Sequence, residues 1–389
     1  MKNLRLFLFI LAIGVFGILN TEMGVIGILP AVAERFSVPI SQAGLLVSLF
    51  ALVVAGAGPV MPLLFSRFNR KTVMLFVLGL FAVCNLLSAF TDSFAVLLAA
   101  RIIPAFFHPV YCSLAFAAAA QEAPAGEVPK AVGKVMIGTA AGMVVGVPVS
   151  NFLAAQFSLE ASLLFFAAVT ALAFLATLLW VPSLPVHQVL SYGSQLAVLK
   201  KPVVWQAILA VVFMNGAVFG VFSYLADYLD RVTGLNPQNV SLLLLLYGLA
   251  NVVGSYISGG LLIRFPRSSV QAFPFVLAAL YGLLSLAGTS ASFTALVILL
   301  WGILGGINAN MNQYWLTTAA PEAAAFANAA NLGTMAASLL CGQLIDRYGT
   351  SFVLSGGVFF AAVSALFIFW RTSQSGTPIS VLQKGGNVL

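Results

Sequence analysis

Ile18 to Gly27, ILNTEMGVIG, puts a carboxylate about sixteen residues into an apolar run that begins near Leu6. Ionisable groups in such runs are costly unless they face a partner or a water-filled cavity, so each is a functional candidate. Glu22, Arg101 and His108 stand out. At 1.5 Å per helical residue, Glu22 lies about 24 Å from the start of its run, and Arg101 about 9 Å below the surface that Glu22 approaches. The two depths overlap. His108 follows Arg101 by seven residues, on about the same helical face and deeper. It either relays protons or binds a substrate, or it satisfies carbonyls freed by Pro104 and Pro109.

Amides are frequent in the same runs: Asn20, Asn85, Asn215, Asn251, Asn308, Asn310, Asn312, Asn328 and Asn331. An amide both donates and accepts hydrogen bonds, so a cavity lined with several suits a neutral, polyhydroxylated or heterocyclic molecule better than a lipophilic cation. Asn20, Asn215, Asn308, Asn312 and Asn331 are the substrate candidates, with helix-to-helix hydrogen bonding as the alternative. That alternative is favoured for Asn85 and Asn251. Tyr224 and Trp315 offer stacking surface or interfacial anchors. Asp227, Asp230, Arg231, Asp346 and Arg347 read as solvated loop charges or helix-end partners, and His187 as a surface residue.

The elements that must position these groups follow from composition. Of 389 residues, 61% are hydrophobic and 7% charged, against roughly a quarter charged in a soluble domain. A bilayer core takes roughly 20 apolar residues as a helix. Twelve such runs are expected, at 6–29, 42–65, 72–90, 95–120, 132–156, 161–181, 203–229, 239–262, 271–288, 292–317, 326–345 and 352–370. The first is read as a retained span, because no small-residue cleavage site follows it. Cys84, Cys112 and Cys341 fall inside spans, as small hydrophobes rather than a disulfide framework.

The +7 net charge reads as topology. With the N-terminus inside, the cytoplasmic side receives Lys2, Arg5, Arg67, Arg70, Lys71, Lys130, Lys134, Lys200, Lys201, Arg264, Arg267, Arg371 and Lys384, thirteen of the 17 basic residues. Arg35, Arg101, Arg231 and Arg347 lie toward the outer face. Both termini are therefore expected in the cytoplasm, and nucleic acid is excluded as a partner.

The sequence also repeats. Leu49–Leu52 and the loop Arg67–Arg70 recur as Leu246–Leu249 and Arg264–Arg267; Gly138-Thr139 recurs as Gly333-Thr334, and Phe165–Val169 as Phe359–Val363. Several matches in one order at nearly one offset imply two parallel halves. The division is a bundle over 1–181, a cytoplasmic linker over 182–202, a second bundle over 203–371 and a tail over 372–389. Parallel repeats related by an axis along the membrane normal are the plan of a rocking transporter with its site near the midplane. There is no filter-like segment or ring of like charges to make a channel. There is also no metal-ligand cluster or activated nucleophile to make an enzyme.

With these features the chain resembles the major facilitator superfamily over essentially its whole length. TEMGVIGILP, Thr21 to Pro30, and SQAGLLVSLFAL, Ser41 to Leu52, are similar to the opening of the twelve-helix drug:proton antiporter group, and most similar to its arabinose, sugar and purine-nucleoside exporter branch. GTAAGMVVGVP, carrying Gly138, Gly142, Gly146 and Pro148, resembles the antiporter motif of exporters, and NLGTMAASLLCG resembles that branch's eleventh span. Small residues at four-residue spacing are equally a packing seam, and Pro148 can kink its helix. In the loop PLLFSRFNRK, Pro62, Ser66 and Asn69 stand where the superfamily has Gly, Asp and Gly, while Arg67, Arg70 and Lys71 remain. The missing acid bears on the latch between halves and leaves the fold untouched.

The resemblance implies an all-α integral membrane protein of twelve helices in two six-helix bundles, in the bacterial inner membrane, monomeric and without a cofactor. In that fold helices one and four line the central cavity, so a Glu22 to Arg101 pair is expected, either for proton coupling or as a fixed ion pair. Burial favours the neutral form of a carboxylic acid and a neighbouring guanidinium favours its charged form, so a small movement can switch protonation. The resulting expectation is proton-coupled efflux of a small polar metabolite or drug, driven by the proton gradient. An uptake symporter or facilitator is the alternative in transport, and a substrate-sensing receptor outside it.

Overall fold

The structure is a computed structural model, and it describes residues 4–124, 127–185, 201–319 and 328–374. His187, Lys2, Lys200, Lys384, the first two residues of the 326–345 span, most of the linker and most of the tail lie outside the described residues. Among the described residues, eleven helical segments are long and apolar enough to cross a membrane. In chain order, with one more helix, they are α1 (Leu4–Arg35), α2 (Ile40–Ala57), α3 (Arg70–Phe90), α4 (Phe94–Glu122), α5 (Val128–Gln156) and α6 (Leu159–Trp180), then α7 (Pro202–Arg231), α8 (Pro237–Arg264), α9 (Pro266–Ala287), α10 (Ala291–Thr317), α11 (Ala330–Tyr348) and α12 (Val353–Gln374). The added helix is α11. It is less apolar because it carries Asn331, Thr334, Ser338 and Gln343.

The helix ends follow local chemistry. Asn69, Ser158 and Asn236 cap α3, α6 and α8, accepting from the backbone N–H of Lys71 (3.0 Å), Ala161 (3.1 Å) and Asn239 (2.9 Å). Proline opens α7, α8 and α9, where its missing N–H costs nothing. The second span is shorter as a helix than expected: α2 stops at Ala57, and a separate turn, Met61–Leu64, precedes the loop. Three spans are broken, the second span by a single turn residue at Gly44. The fourth parts between Ala105 and His108, beside Pro104 and Pro109, and the seventh parts at Ser223–Tyr224.

The two halves pack alike. On α5, a Cβ added to Gly138 would lie 2.2 Å from the Ala12 carbonyl oxygen of α1; on α11, one added to Gly333 would lie 1.7 Å from the Val212 oxygen of α7. The glycines matched by the sequence repeat thus occupy the same place in each half, where backbones approach too closely for any side chain. The braces at the helix ends match too. Lys71 Nζ donates to the Leu178 carbonyl at the end of α6 (2.9 Å), and Arg267 Nη2 donates to the Thr372 carbonyl at the end of α12 (3.1 Å). Arg70 adds a bond to Gln121 at the end of α4 (2.5 Å). These basic loop residues, with exposed Arg67 nearby, tie elements within one half.

Between the halves, α5 meets α8 and α2 meets α11. Ser241 Oγ donates to Asn151 Oδ1 (2.6 Å), and Ser41 Oγ donates to Asp346. Both links lie at the end of the bundle away from the start of α1 and the end of α12. The three cysteines are unpaired.

Candidate functional site

A cavity of about 280 Å³ lies between the halves. Its walls differ in chemistry. Glu22 and Met23 of α1, Phe50 of α2 and His108 of α4 form one side; Asn215 of α7, Asn312 and Gln313 of α10, and Asn331 and Thr334 of α11 form the other.

On the first side, His108 Nε2 lies 2.9 Å from a Glu22 carboxylate oxygen, with each side chain one-tenth accessible. The contact has the distance of an ion pair but misses hydrogen-bond alignment, and both ring nitrogens are sealed from solvent. The partner of the carboxylate is therefore His108, which corrects the expected Glu22 to Arg101 pair. Arg101 is buried beside it, but its guanidinium donates to the main-chain carbonyls of Thr21 (2.5 Å), Glu22 (2.7 Å) and Leu46 (3.4 Å) and lies 4.9 Å from the Phe50 ring centroid. The break in α4 is the physical reason. Seven residues along an unbroken helix would keep Arg101 and His108 on one face. The interruption after Ala105 lets His108 open a new segment and point at the carboxylate, while Arg101 stays on the α1 backbone.

On the second side, Asn215 Nδ2 donates to the Ala330 carbonyl (3.0 Å) and to Thr334 Oγ1 (2.9 Å), and Asn312 Nδ2 reaches Asn215 Oδ1 at 3.4 Å. The carbonyl can only accept, so it fixes which way the Asn215 amide faces. Asn331, near the start of α11, completes this wall.

Other expected substrate residues fall elsewhere. Asn20 is wholly buried against Gly146 of α5, outside the cavity lining, as is buried Asn308. Tyr224 is also buried and donates to the Ser338 carbonyl (2.9 Å), closing α7 against α11. Gly142 and Gly146 continue the Gly138 seam against Leu19 and Asn20, and α5 runs through Pro148 without a break. Asn85 does serve helix-to-helix bonding, donating to Thr21 Oγ1 (3.0 Å). Asp227 is no solvated loop charge: it is buried, accepts from Thr350 Oγ1 (3.0 Å) and pairs with Arg231 Nε (2.8 Å).

Sequence reasoning missed Thr334, Gln313, Asn328, Met143 and Phe50 as cavity residues. Asn328 precedes Asn331 by three residues, a helical spacing that could have joined them. Nothing local marked the others. A second cavity, of about 310 Å³, lies nearer the linked end, with Glu34 and Asp230 on its wall. Among the described residues, no cluster of His, Cys, Asp or Glu could hold a metal.

Comparison with known proteins gives one consistent picture. The family model of the Major Facilitator Superfamily matches residues 11–334. The chain is 29% identical to an uncharacterised MFS-type transporter, YtbD, of Bacillus subtilis, over 92% of this chain and 90% of that one. It is 27% identical to the inner membrane transport protein YdhP of Escherichia coli (95% and 97% covered) and to a probable sugar efflux transporter of Helicobacter pylori (94% and 94%). Among solved structures, an inward-facing bacterial homologue of the human lysosomal transporter Spinster superposes with a TM-score of 0.77 at 17% identity, covering 95% of this chain and 97% of that one.

Proposed function

The chain belongs to the Major Facilitator Superfamily, and from that premise we propose that it exports a small, neutral, polar molecule of the sugar or nucleoside kind in exchange for protons. A member of this family is a multi-pass membrane transporter and not an enzyme, as its inner-membrane relatives are. The observation that carries the proposal is the two-sided cavity, with the Glu22–His108 pair facing a wall of amides. An ionisable pair can take up and release a proton. Amides bind hydroxyls and ring nitrogens without demanding charge. The Helicobacter pylori relative, a probable sugar efflux transporter, supports both efflux and a sugar.

In this reading Glu22 couples the proton, Arg101 holds the α1 backbone that carries it, and Asn215, Asn312, Asn331 and Thr334 contact the substrate. The protein works as a monomer with no cofactor, powered by the proton gradient. The excess of basic residues puts both termini in the cytoplasm, so the end joined by Asn151–Ser241 and Ser41–Asp346 is the outer one. The cavity is then loaded from the cytoplasm, as export requires.

Proteoliposomes with a trapped pH dye and an imposed proton gradient test this, challenged with sugars, nucleosides, purines and common antibiotics. Proton movement that depends on substrate in the wild type and disappears in Glu22→Gln is the expected result. Substrate crossing with no proton movement would make the protein a facilitator and Glu22 a structural partner of His108.

A further inference from the structure

We infer that His108 is an inner holding site for the coupled proton, and that the Glu22 carboxylate is its one door to the cavity; the inference rests on the proton-coupled reading above. Neither ring nitrogen of His108 is accessible to solvent, and neither has a hydrogen-bond partner. Nε2 is 2.9 Å from Glu22 Oε2; both residues line the cavity, but His108 does so without exposing either ring nitrogen. Phe50 stands edge-on to the imidazole, ring centroids 5.9 Å apart, and covers it on the α2 side. On α4 itself, Arg101 is engaged with main-chain carbonyls, Tyr111 is buried and Cys112 is half-buried. Among the described residues, no other lining the cavity is ionisable.

The step balances within the pair. A hydronium ion in the cavity gives its proton to the carboxylate and becomes water; the acid's O–H bond breaks as an N–H bond forms at Nε2, leaving a carboxylate and an imidazolium, and the reverse returns the proton to a water. The neutral ring must then carry its hydrogen on Nδ1, since Nε2 has to accept. Exchange then requires the proton to leave through this door before a substrate fills the cavity and covers it, so that the halves carry proton and cargo in turn and never together.

The chain has two histidines, His108 and His187, so full-length His187→Gln protein labelled with ¹⁵N-histidine in lipid nanodiscs reports on His108 alone. The imidazole ¹⁵N signal after a pH jump gives the rate of protonation. Glu22→Gln is expected to slow that rate at least about tenfold, Glu22→Asp to restore most of it, and Phe50→Ala to restore it in the Glu22→Gln background by opening a second route. An unchanged rate in folded Glu22→Gln protein overturns the inference, and so does an imidazole that never titrates in the wild type. A slowed rate in Glu22→Gln, alongside wild-type liposomes in which no substrate moves protons, leaves the relay standing and overturns the coupling instead.

Discussion

In the seam between α1 and α5 and in the seam between α7 and α11, one glycine in the same repeat position lets two backbones touch. The asparagines that match each other in the repeat, farther along α1 and α7, have parted ways. Asn20 is buried against Gly146 with its amide atoms unpartnered, while Asn215 is bonded to Ala330 and Thr334 at the cavity wall. The duplicated packing has been kept because a close backbone contact tolerates no substitution, whereas the residues facing the cavity were free to diverge into an ionisable wall and an amide wall. Symmetry here belongs to the scaffold, and the asymmetry belongs to the chemistry.

The largest expected effect tests the ionisable wall. Glu22→Gln should lower proton-driven transport about 100-fold or more, the scale on which losing a proton-transfer group acts, with the melting temperature in detergent held near wild type; an equal loss in Asn215→Asp would erase the distinction between the walls. Next comes the scaffold. Gly138→Ala and Gly333→Ala should each destabilise by about 1–3 kcal/mol or more through overpacking, by similar amounts if the seams are equivalent, as thermal melts of the purified variants would show. The amide wall should respond in binding: Asn215→Leu weakens substrate affinity about tenfold, roughly 1.4 kcal/mol for hydrogen bonds lost at a buried site. Its counterpart Asn20→Leu should leave affinity unchanged when titrated calorimetrically. The smallest effect belongs to the closed end. Ser241→Ala removes one hydrogen bond of about 1 kcal/mol and should raise the labelling of cysteines placed across that gap by a few fold.

The spans and the repeat were legible because apolar length and glycine spacing are local properties, and Glu22 was legible because a carboxylate in such a run needs a reason. Its partner was not. The seven-residue spacing of Arg101 and His108 assumes one continuous helix, and the break beside Pro104 turns the second segment independently of the first. Asn20 and Asn308 were misplaced for a related reason: spacing says which residues share a face, while the neighbour on that face is set by tertiary packing. Gln313 and Thr334 carried no local mark, since an uncharged polar residue in a membrane helix serves a cavity and a helix contact equally well.

With one acid and one imidazole as the ionisable groups among the described residues of its wall, a cavity that works by the proposed proton exchange changes its net charge only in unit steps, and a neutral cargo adds nothing to that count. All the electrical work of the cycle then falls on the proton. Across a full membrane potential, one elementary charge is worth about 2.3 kcal/mol per 100 mV, so turnover should respond to voltage as well as to pH, and should do so alike for every cargo the amides accept.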